Sequence, residues 1–180
     1  VLQHLLDTGR EPMAPYGADK CSDHAKAIIR EACGAPDADV FFLTGGTQAN
    51  AVVIDSILCQ HEGVISVESG HINVHEAGAI EFTEHKVIAL HGSQGKLYAS
   101  DLRHYLAEFF SDCRNGHCVY PGLVYITQPT EFGTLYSAKE LTDIYGVCQE
   151  YKIKLYIDGA RLGYGLTAPG NDISLPFLAN

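Results

Sequence analysis

The run Lys154-Leu155-Tyr156-Ile157-Asp158-Gly159-Ala160-Arg161 carries an apolar, strand-like stretch straight into an acid, two small residues and an arginine. A carboxylate at the end of a buried strand is costly unless a cation meets it there. The protonated ring nitrogen of pyridoxal phosphate is one such cation, and an acid beside it makes the ring an electron sink. Arg161, three residues on, offers a planar fork of donors that matches a carboxylate. The same two residues also read as a structural ion pair.

Three other segments carry polar chemistry at the ends of apolar runs. Thr44-Gly45-Gly46-Thr47-Gln48 is a glycine turn feeding a helix. Free amides at a helix start, beside glycines that let the backbone approach, make a phosphate seat; the plainer reading is a tight turn with Thr47 as N-cap. Glu68-Ser69-Gly70-His71 follows a second run, with His75 one helical turn on. His71 can lie flat on an aromatic cofactor, and the i, i+4 histidine pair is also a zinc pattern that lacks a third ligand at readable spacing. A hydrogen-bonded structural histidine is the default. Gln128-Pro129-Thr130-Glu131-Phe132-Gly133-Thr134 follows a third run and reads as a loop within reach of a ligand.

These segments need a scaffold that delivers them to one edge. Apolar runs alternate with segments of helical period, each bounded by Gly, Asn, Asp or Ser, which predicts an α/β fold with three layers, α/β/α, around a mostly parallel sheet. Strands are expected near residues 40–43, 64–67, 86–90, 123–127 and 153–157, since continuous Val/Ile/Leu/Tyr runs suit strands covered on both faces. Helices are expected over 20–33 and 47–60. Ser100 is placed to cap another, with Leu102, Leu106, Phe109 and Phe110 facing inward. Ser137-Ala138-Lys139-Glu140 is a capping box opening a further helix through Tyr151. Residues 111–122 read as a loop. In such a sheet ligands lie beyond the carboxyl ends of the strands, where all four segments fall.

Composition narrows the function. The 180 residues carry 22 acids against 12 bases, a net charge of -10, which disfavours nucleic acid and anionic membrane surfaces as partners. No apolar stretch approaches the roughly 20 residues that span a bilayer, and the first residues lack the pattern of a signal peptide. A cytoplasmic location is expected. The six cysteines read as reduced, mostly buried thiols, with a Cys113–Cys118 bridge as the minor alternative.

Ala14-Pro15-Tyr16-Gly17-Ala18-Asp19, Leu43-Thr44-Gly45-Gly46-Thr47-Gln48-Ala49-Asn50, Gly70-His71-Ile72-Asn73 and Asp158-Gly159-Ala160-Arg161 together resemble the low-specificity threonine aldolases of the β-eliminating lyase group, which are fold-type-I pyridoxal phosphate enzymes. The resemblance covers essentially the whole chain. It implies that Gly45, Gly46, Thr47 and Gln48 hold the phosphate of pyridoxal 5'-phosphate, that His71 stacks on its ring, that Asp158 meets its nitrogen and that Arg161 holds the substrate carboxylate. Tyr16 is implied to lie near the substrate and a dimer contact, and a homodimer or homotetramer is implied. The expected reaction cleaves L-threonine or allo-threonine to glycine and an aldehyde, with His71 or His75 as base.

Two departures stand against the family pattern. Gln128-Pro129-Thr130-Glu131 replaces an acid-asparagine-threonine-histidine run, and no lysine follows Asp158 to form the cofactor's Schiff base. Residues 1–180 are therefore expected to be most of the large cofactor-binding domain, without its start, the lysine segment or the small C-terminal domain. Competing expectations are another β-eliminating lyase or aminotransferase, a catalytically incompetent fragment that only binds or pairs, and a hydrolase using a metal on His71 and His75.

Overall fold

The structure, a computed structural model, describes residues 1–9 and 12–180. In chain order its elements are α1 (Leu2–Thr8), α2 (Lys20–Cys33), α3 (Gly46–Ile57), β1 (Glu62–Val67), α4 (His71–Val74), α5 (Ala79–Phe82), β2 (Val87–Leu90), α6 (Ala99–Ser111), β3 (Tyr120–Thr127), α7 (Ala138–Tyr151), β4 (Lys154–Asp158), α8 (Leu162–Thr167) and α9 (Leu175–Ala179). They form two compact units, residues 1–42 with 174–180, and residues 43–173.

In the first unit, α2 has the expected bounds because both ends are chemically marked. Asp19 accepts from the Cys21 and Ser22 amides at 2.9 and 3.0 Å, and Gly34 closes the helix in the left-handed region, φ +61°. α9 packs against this end, with Pro176 beside Gly34. Residues 40–43, an expected strand, form none. Among the described residues no neighbouring backbone pairs with them, and Phe41 and Phe42 stand exposed, so apolar composition alone does not make a strand.

The second unit is a parallel four-stranded sheet in the order β2-β1-β3-β4. Ile54 and Leu58 beside α3 join Val64, Ile72, Ile80, Val87, Leu123 and Tyr125 in one apolar cluster. Side chains alternate across a strand, so Ile65, Val124 and Ile126, also buried, face the opposite way. α6 and α7 pack on each other with Leu102, Leu106, Ile144 and Val147 buried. α7 opens with the expected capping box, Ser137 and Glu140 bonding each other's backbone amides. Tyr98, rather than Ser100, stands at the N-cap of α6, without a side-chain bond.

β3 starts at Tyr120, inside the expected loop. Pro121 and Gly122 sit where the β1–β3 register slips at Gly63/Val64, so the missing proline N–H falls at an irregularity. All six cysteines are free, but only Cys148 is buried; Cys21, Cys59, Cys113 and Cys118 are exposed, against the expectation of buried thiols. Among the described residues, no helix is long and apolar enough to cross a membrane.

Winding places the site. From β1 the chain steps outward to β2, then crosses back to β3 on the other side of β1 and continues to β4. The direction reverses between β1 and β3, and the carboxyl ends flanking such a switch are where open α/β sheets bind ligands.

Candidate active site

Asp158 is the last residue of β4 and half-buried. Its Oδ2 accepts from the Tyr125 hydroxyl at 2.7 Å and from Asn50 Nδ2 at 3.1 Å, while Oδ1 accepts the Ala160 amide at 2.9 Å. Tyr125 comes from β3 and Asn50 from the buried face of α3. Two elements and the turn after β4 thus aim donors at one carboxylate. Burial first, then the bond to Asp158 and the charges of Asp158, Glu76 and Glu131, push the Tyr125 hydroxyl far above its usual value. Tyr125 therefore remains a donor at any physiological pH.

His71 opens α4 directly after β1. The turn that delivers it is tight: a Cβ on Gly70 would lie 2.1 Å from Ser66 Oγ, so glycine is required there. Asn73 Nδ2 donates to the Glu68 carbonyl at 2.7 Å and secures the turn. His71 Nδ1 lies 2.8 Å from Glu76 Oε1, and the same oxygen accepts from Asn50 Nδ2 at 2.6 Å. Asn50 Oδ1 in turn accepts from the Tyr156 hydroxyl at 2.7 Å. Burial, followed by the charges of Asp158 and Glu76, pushes Tyr156 up to about 12, so it too is a fixed donor. This fixes the Asn50 amide, because the flipped orientation would set its oxygen against two carboxylates.

α3 begins at Gly46 with Gly45 as its N-cap and no side-chain cap, two residues before the expected Thr47 cap. A Cβ on Gly45 or Gly46 would meet nothing within 4 Å, so open space lies before the helix. Among the described residues the Gly46, Thr47 and Gln48 amides donate to no protein acceptor, as expected of a first helical turn. Gln48 Oε1 accepts from the Thr44 amide and hydroxyl at 3.0 and 2.8 Å and holds the turn in shape.

The glycine turn, His71 and Asp158 therefore belong to one sheet edge, tied by α3. Residues 10–173 match the profile of the family described as Beta-eliminating lyase. The chain belongs to the beta-eliminating lyase family. It is 32% identical over 152 residues to a low specificity L-threonine aldolase of a Pseudomonas species, covering 81% of this chain and 41% of that protein. The corresponding Pseudomonas aeruginosa protein is also 32% identical, over 87% of this chain and 44% of its own length. The structure of Leishmania major threonine aldolase superposes with a TM-score of 0.93 at 41% identity, over 98% of this chain and 51% of that one. The chain thus spans about half the length of these relatives.

Within this member of the beta-eliminating lyase family, Arg161 is the N-cap of α8, and its Nη2 donates to Glu131 Oε2, from the loop after β3. Glu131 Oε1 is buried without a partner among the described residues. The alternative reading of Arg161 and Asp158 as an ion pair is not what forms; Arg161 pairs with Glu131. His75 is exposed, its ring tilted over His71 at 5.4 Å between centroids. Among the described residues no group of three His, Cys, Asp or Glu side chains could hold a metal ion. Tyr16 lies in the first unit, fully exposed and at φ +62°.

Glu76, Asn50, Tyr125 and Tyr156 escaped the sequence reading. Asn50 carried a signal: it shares the inward face of α3 with Ile54, an apolar position where an amide needs partners. Of the lysines, Lys96 pairs with Glu140 and Lys139 with Asp143. Lys154 opens β4, about 13 Å of strand from Asp158 at 3.3 Å per residue.

Proposed function

We propose that the protein to which this chain belongs binds pyridoxal 5'-phosphate and cleaves L-threonine or allo-threonine to glycine and an aldehyde. The observation that carries this reading is Asp158. A strand-end carboxylate held by Tyr125, Asn50 and the Ala160 amide, beside a histidine and an uncapped glycine-led helix start, fits a protonated pyridine ring with a phosphate tail. Family membership and the threonine aldolase relatives support the same chemistry.

The Gly46, Thr47 and Gln48 amides would hold the phosphate, with the Thr47 hydroxyl beside them. His71 would lie against the ring, and Asp158 would keep the ring nitrogen protonated. When bound, the cofactor supplies the sink for the electron pair released from the Cα–Cβ bond. Arg161, steadied from one side by Glu131, keeps other guanidinium N–H groups for the substrate carboxylate. His71, with His75 beside it, is placed to take the β-hydroxyl proton. Tyr16 is assigned to the substrate side through its motif.

Residues 1–180 then make up most of the large cofactor-binding domain of a type I fold. A homodimer or homotetramer follows from the resemblance alone, and the free thiols support a cytoplasmic setting. Glycine and acetaldehyde released from L-threonine by the full-length protein with pyridoxal phosphate is the expected result. Failure to form glycine overturns the aldolase assignment.

A further inference from the structure

Glu76 has no place in the reaction described so far, and its burial is expensive. Its side chain is fully shielded, yet only Oε1 is satisfied; Oε2 has no partner among the described residues. Burying a carboxylate with one oxygen unpaired does not favour stability, since an apolar side chain of the same volume does as well or better. The backbone beyond it is strained as well. Ala77 and Gly78 both take left-handed conformations, φ +51° and +79°, and for alanine that conformation is unfavourable by about 1 kcal/mol or more. This reversal follows directly on the residue whose carboxylate reaches His71. Strain of this kind persists where surrounding structure enforces a functional geometry.

We propose that Glu76 is a positioning residue for His71: it fixes the ring and places the imidazole proton on Nδ1, and the Asn50 amide locks this pair to Asp158. The inference rests on the reading of His71 as ring-stacking residue and base. An ionised Glu76 only accepts hydrogen bonds, and with it the 2.8 Å contact puts the proton on Nδ1. Neutral His71 then bears its lone pair on Nε2, which has no protein partner among the described residues and is free for a substrate hydroxyl. Glu76 Oε1 and Asp158 Oδ2 accept from one and the same Asn50 Nδ2, and Tyr156 holds that amide in place. The stacking histidine and the ring-nitrogen acid are consequently set by one amide. Partners of this kind, which hold a working histidine through its other nitrogen, change activity about ten- to hundred-fold in metal sites.

The test uses the full-length protein labelled with 15N-histidine and free of cofactor, in which two-bond proton–nitrogen correlations report the His71 tautomer. Wild type is expected to carry the proton on Nδ1, E76Q to retain it there because the amide oxygen still accepts, and E76M to move it to Nε2. Turnover of L-threonine by the cofactor-loaded protein is expected to fall about ten- to hundred-fold in kcat for E76M with KM within about two-fold, and to recover largely in E76Q. A wild-type proton on Nε2, or an E76M tautomer identical to wild type, overturns the proposal; if E76M does not fold, the wild-type and E76Q spectra decide alone. Unchanged kcat in E76M alongside an active wild type overturns it as well. A tautomer shift in a protein that never releases glycine supports the positioning role and counts against the aldolase reading instead.

Discussion

Asn50 and Asp158 lie 108 residues apart in the chain and are joined by a 3.1 Å hydrogen bond, with the same Asn50 nitrogen 2.6 Å from Glu76. One neutral amide thus separates two carboxylates. Its position on the buried face of α3 makes that helix both the glycine-led helix start and the brace of the acid.

N50D removes both donations and sets a third carboxylate among the two. It is expected to lower unfolding free energy by about 3 kcal/mol, and N50A by about 2 kcal/mol, because each leaves charged acceptors undersupplied. Urea denaturation of the full-length protein gives both values. A midpoint for N50D equal to wild type would mean that the amide does not hold the acids.

The tyrosines predict an alkaline limit. Burial is the main cause that raises Tyr125 and Tyr156, the latter to about 12. A folded-state value above the unfolded one, about 10, means that unfolding releases protons. Their contribution to stability is complete below pH 10 and is lost as pH rises toward 12. Urea midpoints should therefore fall between pH 10 and 12, and less steeply in Y156F. Parallel slopes for Y156F and wild type would contradict this origin.

Much of the site was legible because strand ends announce themselves. His71 and Asp158 each follow an apolar run that the fold makes a strand, β1 and β4. The partners were not legible for two different reasons. Tyr125 and Tyr156 lie within strands, where tyrosine reads as ordinary β composition. Glu76 follows His75 in a turn, just before two left-handed residues, Ala77 and Gly78, and no periodicity marks it as buried. Residues 40–43 failed in the opposite sense: their composition is that of a strand, but pairing requires a neighbour. Arg161 was read as a group for a substrate carboxylate, and the carboxylate it meets in the structure is Glu131, a residue read only as loop.

That pairing bears on substrate binding. Lysine at position 161 keeps the charge but loses the fork, so it cannot hold Glu131 and a substrate carboxylate on separate edges. R161K is expected to raise KM for L-threonine about 10- to 100-fold, the worth of one charge-assisted hydrogen bond of about 1.5–3 kcal/mol. The cofactor's affinity should change little. Steady-state kinetics and a cofactor titration on one preparation separate the two, and an unchanged KM removes Arg161 from substrate binding.

On the acid side, a contribution comes from the start of α7. Burial alone would raise the Glu140 carboxyl, but the Ser137 amide and hydroxyl and the Lys96 ammonium outweigh it and hold the group below its usual 4.5. Lys96 Nζ sits 2.9 Å from Glu140 Oε2. With the folded value depressed, the contribution is complete above 4.5 and is lost as pH falls through the lower folded value. E140Q should therefore be less stable than wild type at pH 7, and the gap should narrow as pH falls below 4.5. S137A, which removes the hydroxyl half of the capping box, should cost about 1 kcal/mol while leaving Lys96 in place. Urea midpoints of both variants at pH 7 and pH 3.5 provide the comparison. A gap for E140Q that is constant across that range would show that packing, not charge, is what Glu140 contributes.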